Sequence, residues 1–355
     1  MGLLPVFNRQ YFVKIRNMVL NKIFIAFLFS NLSFLQCSYI FEPVIEEVSP
    51  VKIFEDAWQV ADENYPFFAF KNIDWASIYQ KYYLKAKNTQ GDEILIVLHN
   101  MLGELKDGHI WFYTNGGKRI KPFYSPRTLK DRKAFSLLVV QKYFDKKLSF
   151  AGGKRFFYGI LSNNIGYIYI STFKNDRTEW YIDFKNIISR LKNTDGIIID
   201  VRNNEGGSDI VTHYVISFFL QQPIKSPVWV DSQGNKSPEY RINPNKRIKY
   251  LKNIVVLQND TSFSAAEEFV NIMKELPSVT TVGDTTAGGS GAPEDFRIDG
   301  GFIIHIPTKA LLRYNGEYFE NTGISPDIVV KQSETDVKKG VDYQLEFTIQ
   351  LLKNY

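Results

Sequence analysis

The chain has 355 residues, 44% hydrophobic and 15% aromatic, enough to bury a sizeable core in one large or two smaller domains. Its net charge of +5 is concentrated at one end, because residues 1–37 carry Arg9, Lys14, Arg16 and Lys22 and no acid. The remainder is close to neutral with no basic patch, so nucleic acid is not expected as a partner. The single cysteine, Cys37, excludes an intramolecular disulfide.

In chain order, Lys22 precedes the apolar run Ile23–Leu35, then Gln36-Cys37. A basic n-region before a short h-region predicts a secretory signal over residues 1–37. The run is too short and too interrupted for a membrane span. Met18–Cys37 reads as a complete signal by itself. Cys37 stands where a bacterial lipobox would place it, although Phe34-Leu35-Gln36 lacks the usual small residues. A lipid anchor at Cys37 and simple cleavage both stay open. The expected location is exported, in the periplasm or outer envelope, with membrane contact only through such an anchor.

From Val51 onward, Phe54, Ala57, Trp58 and Ala61 recur at helical spacing. Trp75–Ala86 and Asp92–Leu105 predict two more helices, giving a small N-terminal helical module over residues 45–108. Ala134–Tyr143 and Lys147–Ala151 are expected to form a hairpin around Asp145. Across residues 165–282, strands at Ile165–Ile170, Ile197–Asp200, Ile254–Leu257 and Thr280–Val282 alternate with helices at Trp180–Leu191, Ser208–Leu220 and Ala265–Leu276. That alternation predicts an α/β fold with a largely parallel sheet. Phe302–Pro307 and Leu311–Tyr314 are expected strands, with Asn315-Gly316 as a turn.

Four places could carry chemistry. Gly206 and Gly207 end the run G-I-I-I-D-V-R-N-N-E-G-G at a strand-to-helix turn, where free backbone N–H groups can hold an anion or a developing oxyanion. Ser264 opens the helix that follows strand Ile254–Leu257. It reads either as an N-cap, with Glu267 completing an S-x-x-E capping box, or as a nucleophile on a strand-turn-helix with the Ala265 N–H as a second oxyanion donor. His109 follows an Asp107-Gly108 turn and is the best placed base among His99, His109, His213 and His305. Glu320 is a surface carboxylate or the acid that a base requires. No two histidines stand at ligand spacing, so no metal and no cofactor is expected.

Together these segments resemble the S41 serine peptidases, the C-terminal processing and tricorn-core enzymes. The matching pieces are L-K-D-G-H (Leu105–His109), I-G-Y-I-Y-I (Ile165–Ile170), I-I-D-V-R-N-N-E-G-G (Ile198–Gly207), S-F-S-A-A-E (Ser262–Glu267), V-G-D-T-T-A-G-G (Val282–Gly289) and E-N-T-G-I-S-P-D-I (Glu320–Ile328). The resemblance implies a ClpP/crotonase-like ββα superhelix core over residues 109–355. It implies peptide-bond hydrolysis through an acyl-enzyme, with Ser264 as nucleophile, His109 as base and Glu320 as orienting acid. Gly206, Gly207 and Ala265 would form the oxyanion hole, and peptides or unfolded proteins would be the substrates. Gly289 occupies the position where the processing branch has its lysine, so the tricorn-like branch with a histidine base fits better. That branch has a serine before its histidine, where this chain has Gly108. No PDZ domain is expected between residues 110 and 164. The competing readings are a non-catalytic binder of hydrophobic ligands or peptides on the same fold, and a crotonase-like acyl-CoA enzyme. Oligomeric state is left open.

Overall fold

The computed structural model describes residues 48–125, 132–176 and 178–354. The signal-like segment and Cys37 lie outside the described residues. Helix α1 (Pro50–Asn64) starts where Ser49 Oγ accepts the Lys52 N–H at 3.2 Å and Pro50 needs no partner for its nitrogen. The short α2 (Phe68–Lys71) precedes α3 (Trp75–Lys87), which Asp74 caps, and α4 (Ile94–Gly103). The stripe Ile53, Phe54, Ala57 and Ala61 is buried as its spacing requires. It packs with Phe112, Ile304, Ile306 and Ala310, so the helices share a core with a β-sheet. Val48–Tyr355 forms one compact unit.

Strand β1 (Trp111–Tyr113) pairs with the two-residue strand Arg119–Ile120, and further along the chain come β2 (Ser149–Ala151), β3 (Phe156–Ile160) and β4 (Ile165–Ile170). Helix α5 (Glu179–Leu191) leads to β5 (Gly196–Asp200), α6 (Asp209–Ser217) and β6 (Trp229–Asp231). Strand β7 (Asn253–Gln258) feeds α7 (Ala265–Met273), followed by β8 (Val279–Gly283), β9 (Gly291–Arg297) and β10 (Ile303–Leu311). Strand β11 (Ile328–Val329) and helix α8 (Tyr343–Lys353) complete the elements that matter here.

The main sheet has seven strands in the order β11-β8-β7-β5-β4-β3-β2. Pairs β4–β5, β5–β7, β7–β8 and β8–β11 are parallel, whereas β3 runs antiparallel to both β4 and β2. Helices cover both faces. Ile197, Ile199, Ile254 and Val256 face α5, α6 and α7, while Ile198, Val255 and Leu257 face Leu345 and Leu352 of α8. A strand covered on both sides reads as an unbroken apolar run, which is why Ile197–Ile199 shows no polar alternation. A second, antiparallel sheet joins β9, β10 and β1, with β6 also on β10.

Two expected elements differ. Ala134–Tyr143 is not the first strand of a hairpin. Helical turns occupy Arg132–Ala134, Leu137–Val140 and Gln141–Tyr143, and only Ser149–Ala151 is a strand. Ser136 accepts the N–H groups of Val139 and Val140 through its carbonyl, and Val140 is buried with Phe144, Leu148 and Leu345. This packing overrides the strand preference of Leu-Leu-Val-Val. Ile303–Leu311 is one continuous strand, and Arg313–Gly316 forms the turn beyond it, leaving only a Leu312–Tyr318 bridge. Among the described residues no helix is long and apolar enough to cross a membrane.

Candidate active site

Strands β5 and β7 are parallel neighbours with Asp200 paired to Leu257, so the loops after them leave the same edge of the sheet. Open α/β sheets place their sites at that carboxyl edge. The β5 loop is held from below. Arg202 is fully buried, bonded to Asp200 at 2.6 Å, to Asp342 at 2.8 Å and to Gln344 at 3.0 Å, and Tyr167 donates its hydroxyl to Asp200 at 2.8 Å. The D-V-R part of the motif is therefore an anchor that ties the loop to the segment opening α8. A buried pair of this kind tolerates the loss of neither partner.

Asn204 divides the two glycines. Its Oδ1 accepts the Gly206 N–H at 2.8 Å, while its amide donates to Ile170 O at 2.9 Å. The Gly206 N–H is therefore engaged. The Gly207 N–H has no partner among the described residues, and Gly207 lines the same cavity as Ser264 and Ala265. A Cβ on Gly206 would lie 2.7 Å from Ser264 Cβ and 2.8 Å from Ala265 N. Glycine at 206 is thus what lets the two loops meet.

Ser264 has φ 58° and ψ −125°, a conformation that an L-residue adopts at a cost of about 1–3 kcal/mol. The expected capping box forms as well. Glu267 is buried and receives four donors. Oε1 accepts Thr286 Oγ1 at 2.5 Å and the Gly288 N–H at 2.7 Å, while Oε2 accepts the Gly289 N–H at 2.6 Å and the Ser264 N–H at 3.1 Å. Burial nevertheless pushes its carboxyl up to about 7. Glu267 thus fastens the 286–289 loop to the strained serine. The cap reading and the site reading describe one arrangement: Ser264 starts the helix and also lines a cavity of about 360 Å³ with Trp229, Glu268 and Gly289.

His109 is buried, and neither ring nitrogen has a hydrogen-bond partner among the described residues. Burial holds its imidazole down to about 4, against the opposing pull of Asp107. Its ring stacks on Phe263 with centroids 4.3 Å apart. A Cβ on Gly289 would lie 2.0 Å from Phe263 Cε2, so this ring also excludes a side chain at the position where the processing branch has lysine. His109 and Ser264 are not hydrogen-bonded in this arrangement; Phe263, the residue before the serine, packs against the imidazole.

Glu320 is buried too. Ser290 donates its N–H (2.8 Å) and Oγ (3.1 Å) to Oε2, and Lys71 Nζ lies 3.2 Å from Oε1. Burial and then the Asp107 charge push the Glu320 carboxyl up to about 8. The acid closest to His109 is Asp107, whose Oδ1 is 3.8 Å from Nδ1. Asp107, Lys71 and Glu267, none of which the sequence marks as a candidate, have buried contacts with these groups. Asp107 and Glu267 lie inside the quoted motifs, whereas nothing local to Lys71 marks it.

Residues 164–330 match the sequence model of Peptidase family S41, and residues 50–103 match that of the tricorn protease C1 domain. The carboxy-terminal processing protease CtpB of Bacillus subtilis is 26% identical over 205 residues, 57% of this chain and 41% of CtpB. The chain spans about two-fifths of the length of the curated relatives it matches. A candidate peptidase from Parabacteroides merdae has a crystal structure that is 31% identical and covers 86% of this chain and 97% of its own, with a TM-score of 0.76. Mature CPAF complexed with lactacystin shares the fold at a TM-score of 0.64 and 15% identity, covering 86% of this chain and 97% of its own. The two family matches cover the helices of the N-terminal part and five of the seven strands of the main sheet, the relative from Parabacteroides merdae is matched over nearly its whole length, and the chain belongs to peptidase family S41.

Proposed function

We propose that this chain is an exported serine endopeptidase that hydrolyses peptides or unfolded proteins through an acyl-enzyme. The observation that carries the reading is Ser264, held at positive φ and lining one cavity with Gly207 and Ala265. Ser264 Oγ attacks the scissile carbonyl as His109 takes its proton. The tetrahedral oxyanion sits on the Ala265 and Gly207 N–H groups, each such donor being worth about 3–4 kcal/mol in the transition state. Gly206 contributes by letting the loops approach, its own N–H being held by Asn204. The imidazole gives its proton to the leaving amine, and water then resolves the ester by the same steps. A neutral imidazole is the state a base requires, and burial keeps His109 neutral at physiological pH. Phe263 lies against the imidazole, and acylation requires the His109 ring and Ser264 Oγ to come within hydrogen-bond reach of each other. Glu320 acts on His109 through other groups, since its own partners are Lys71 and Ser290.

The testing experiment is digestion of unfolded casein by the purified chain, with and without a fluorophosphonate. Hydrolysis that the probe abolishes irreversibly is the expected result. Hydrolysis that persists at full rate in a stoichiometrically labelled sample contradicts the reading. Export rests on the segment ahead of Cys37. Metabolic labelling with a fatty acid separates the two routes: label that disappears in Cys37→Ala marks an anchor, and an unlabelled secreted protein marks simple cleavage.

A further inference from the structure

Around His109 the fold assembles a buried chain of polar groups that lie far apart in sequence. Asp107 is fully buried, and its Oδ1 accepts the His109 backbone N–H at 2.8 Å. Its Oδ2 accepts the Tyr65 hydroxyl at 2.9 Å and lies 3.5 Å from Lys71 Nζ. The Lys71 side chain is only 7% exposed. It donates to Tyr65 Oη at 2.7 Å, to Leu105 O at 3.1 Å, and to Glu320 Oε1 at 3.2 Å across 249 residues of sequence. Glu320 is fastened on its other oxygen by Ser290.

We propose that Asp107 is the positioning residue that orients His109, with Lys71 and Tyr65 clamping it and linking it to Glu320. The proposal rests on the reading of Ser264 and His109 as nucleophile and base, and it names the groups through which Glu320 acts. Three observations support it. Asp107 is the carboxylate beside Nδ1, and the 3.8 Å gap is one that such contacts close when a substrate is bound. The carboxylate is fixed from three sides, by a backbone N–H, a phenol and an ammonium. It also keeps its charge: burial works against it, but the Lys71 ammonium, the His109 backbone N–H and the Tyr65 hydroxyl outweigh that penalty and hold its carboxyl below the ordinary range, while Glu320 is pushed the other way. Only an ionised acid stabilises an imidazolium as an anion.

In the acylation step the Ser264 Oγ–carbon bond forms, and the Oγ proton moves to His109 Nε2. Nδ1–H then points at Asp107 Oδ1. On collapse the carbon–nitrogen bond breaks and the Nε2 proton leaves with the amine. Asp107 gains no proton at any stage, as in the corresponding role of a serine peptidase triad.

The test is the pH dependence of the second-order rate of fluorophosphonate labelling. Besides Asp107, the charged or titratable groups around the imidazole are Lys71, Lys121 and His305. Wild type is expected to lose rate as pH falls through about 4, where the imidazole protonates. Asp107→Asn is expected to label about 10²–10⁴-fold more slowly. Its acid limb should lie lower than that of wild type, because the anion that raises the imidazole is gone. Glu320→Gln is expected to cost at least tenfold less than Asp107→Asn. Asp107→Asn leaves Lys71 short of a counter-charge, so the double variant Lys71→Met/Asp107→Asn serves as the folding control. It removes both charges of the pair and is expected to stay slow. The proposal is overturned if Asp107→Asn labels within threefold of wild type, if its limb moves to higher pH, if Glu320→Gln is the slower variant, or if the double variant recovers the wild-type rate. His109→Ala separates this from failure of the underlying reading. Normal labelling there removes the base and the proposal with it, whereas slow His109→Ala beside normal Asp107→Asn removes the orienting role alone.

Discussion

Ser264→Ala is expected to lower the rate of peptide hydrolysis by about 10⁵–10⁶-fold while leaving substrate binding nearly intact. The serine contributes the atom that becomes bonded to the acyl group, and the other hydroxyl and carboxyl groups of the cavity have partners of their own: Ser208 Oγ donates to Asp209 at 3.4 Å. Glu268 is an acid already bonded to His213 at 2.9 Å, and Ser290 is bonded to Glu320. What survives is the contribution of the Ala265 and Gly207 N–H groups, which still meet the oxyanion of a water-derived adduct. The same position carries a separate stability signature. At φ 58° an alanine is as strained as the serine, whereas glycine is not. Ser264→Gly should therefore be more stable than Ser264→Ala by about 1 kcal/mol, measured by urea unfolding. Equal stabilities would mean that the strain is absent in solution.

Glu267→Ala is expected to be the most damaging change away from the nucleophile. It strands three backbone N–H groups in a buried space and takes one partner from the Thr286 hydroxyl. Each orphaned donor costs about 1–3 kcal/mol, and partial relaxation leaves a loss of roughly 3–5 kcal/mol. That is a large part of the total stability of an ordinary domain, about 5–15 kcal/mol. The surviving folded fraction should also be slowed by about 10²-fold, because the 286–289 loop no longer braces the serine. A pH signature accompanies the loss. In the unfolded chain this carboxyl releases its proton near 4.5, and in the fold only near 7. Between those values the folded state binds more protons, so this group makes stability fall as pH rises across the window. Glu267→Ala should remove that component from the pH dependence of unfolding. Wild-type stability in Glu267→Ala would show that the four contacts carry no weight.

Much of this arrangement could be read from the chain, for identifiable reasons. Ile197–Ile199 and Ile254–Leu257 are apolar on both faces because helices cover both sides of the sheet, and that is visible as an unbroken run. Ser264 followed by Glu267 marks a helix start whether or not the serine is reactive. The choice between Gly206 and Gly207 was not legible, since it turns on where the Asn204 side chain points. In the sequence Glu267 is legible only as half of a cap, because its other three donors come from a loop about 20 residues away. Asp107 is legible as a turn residue, and it accepts the His109 N–H as one. Its second oxygen faces Tyr65 and Lys71, which only the packing of the N-terminal helices against the sheet brings near. Leu137–Val140 misled because four apolar residues carry no period, so burial alone decided their conformation.

The central claim is that Ser264 is the nucleophile. The most direct measurement is to label the purified wild-type chain with a fluorophosphonate, digest it and locate the adduct by mass spectrometry. The account predicts one adduct per chain, on Ser264. An adduct on another residue, or a labelled chain whose Ser264 peptide remains unmodified, would contradict it.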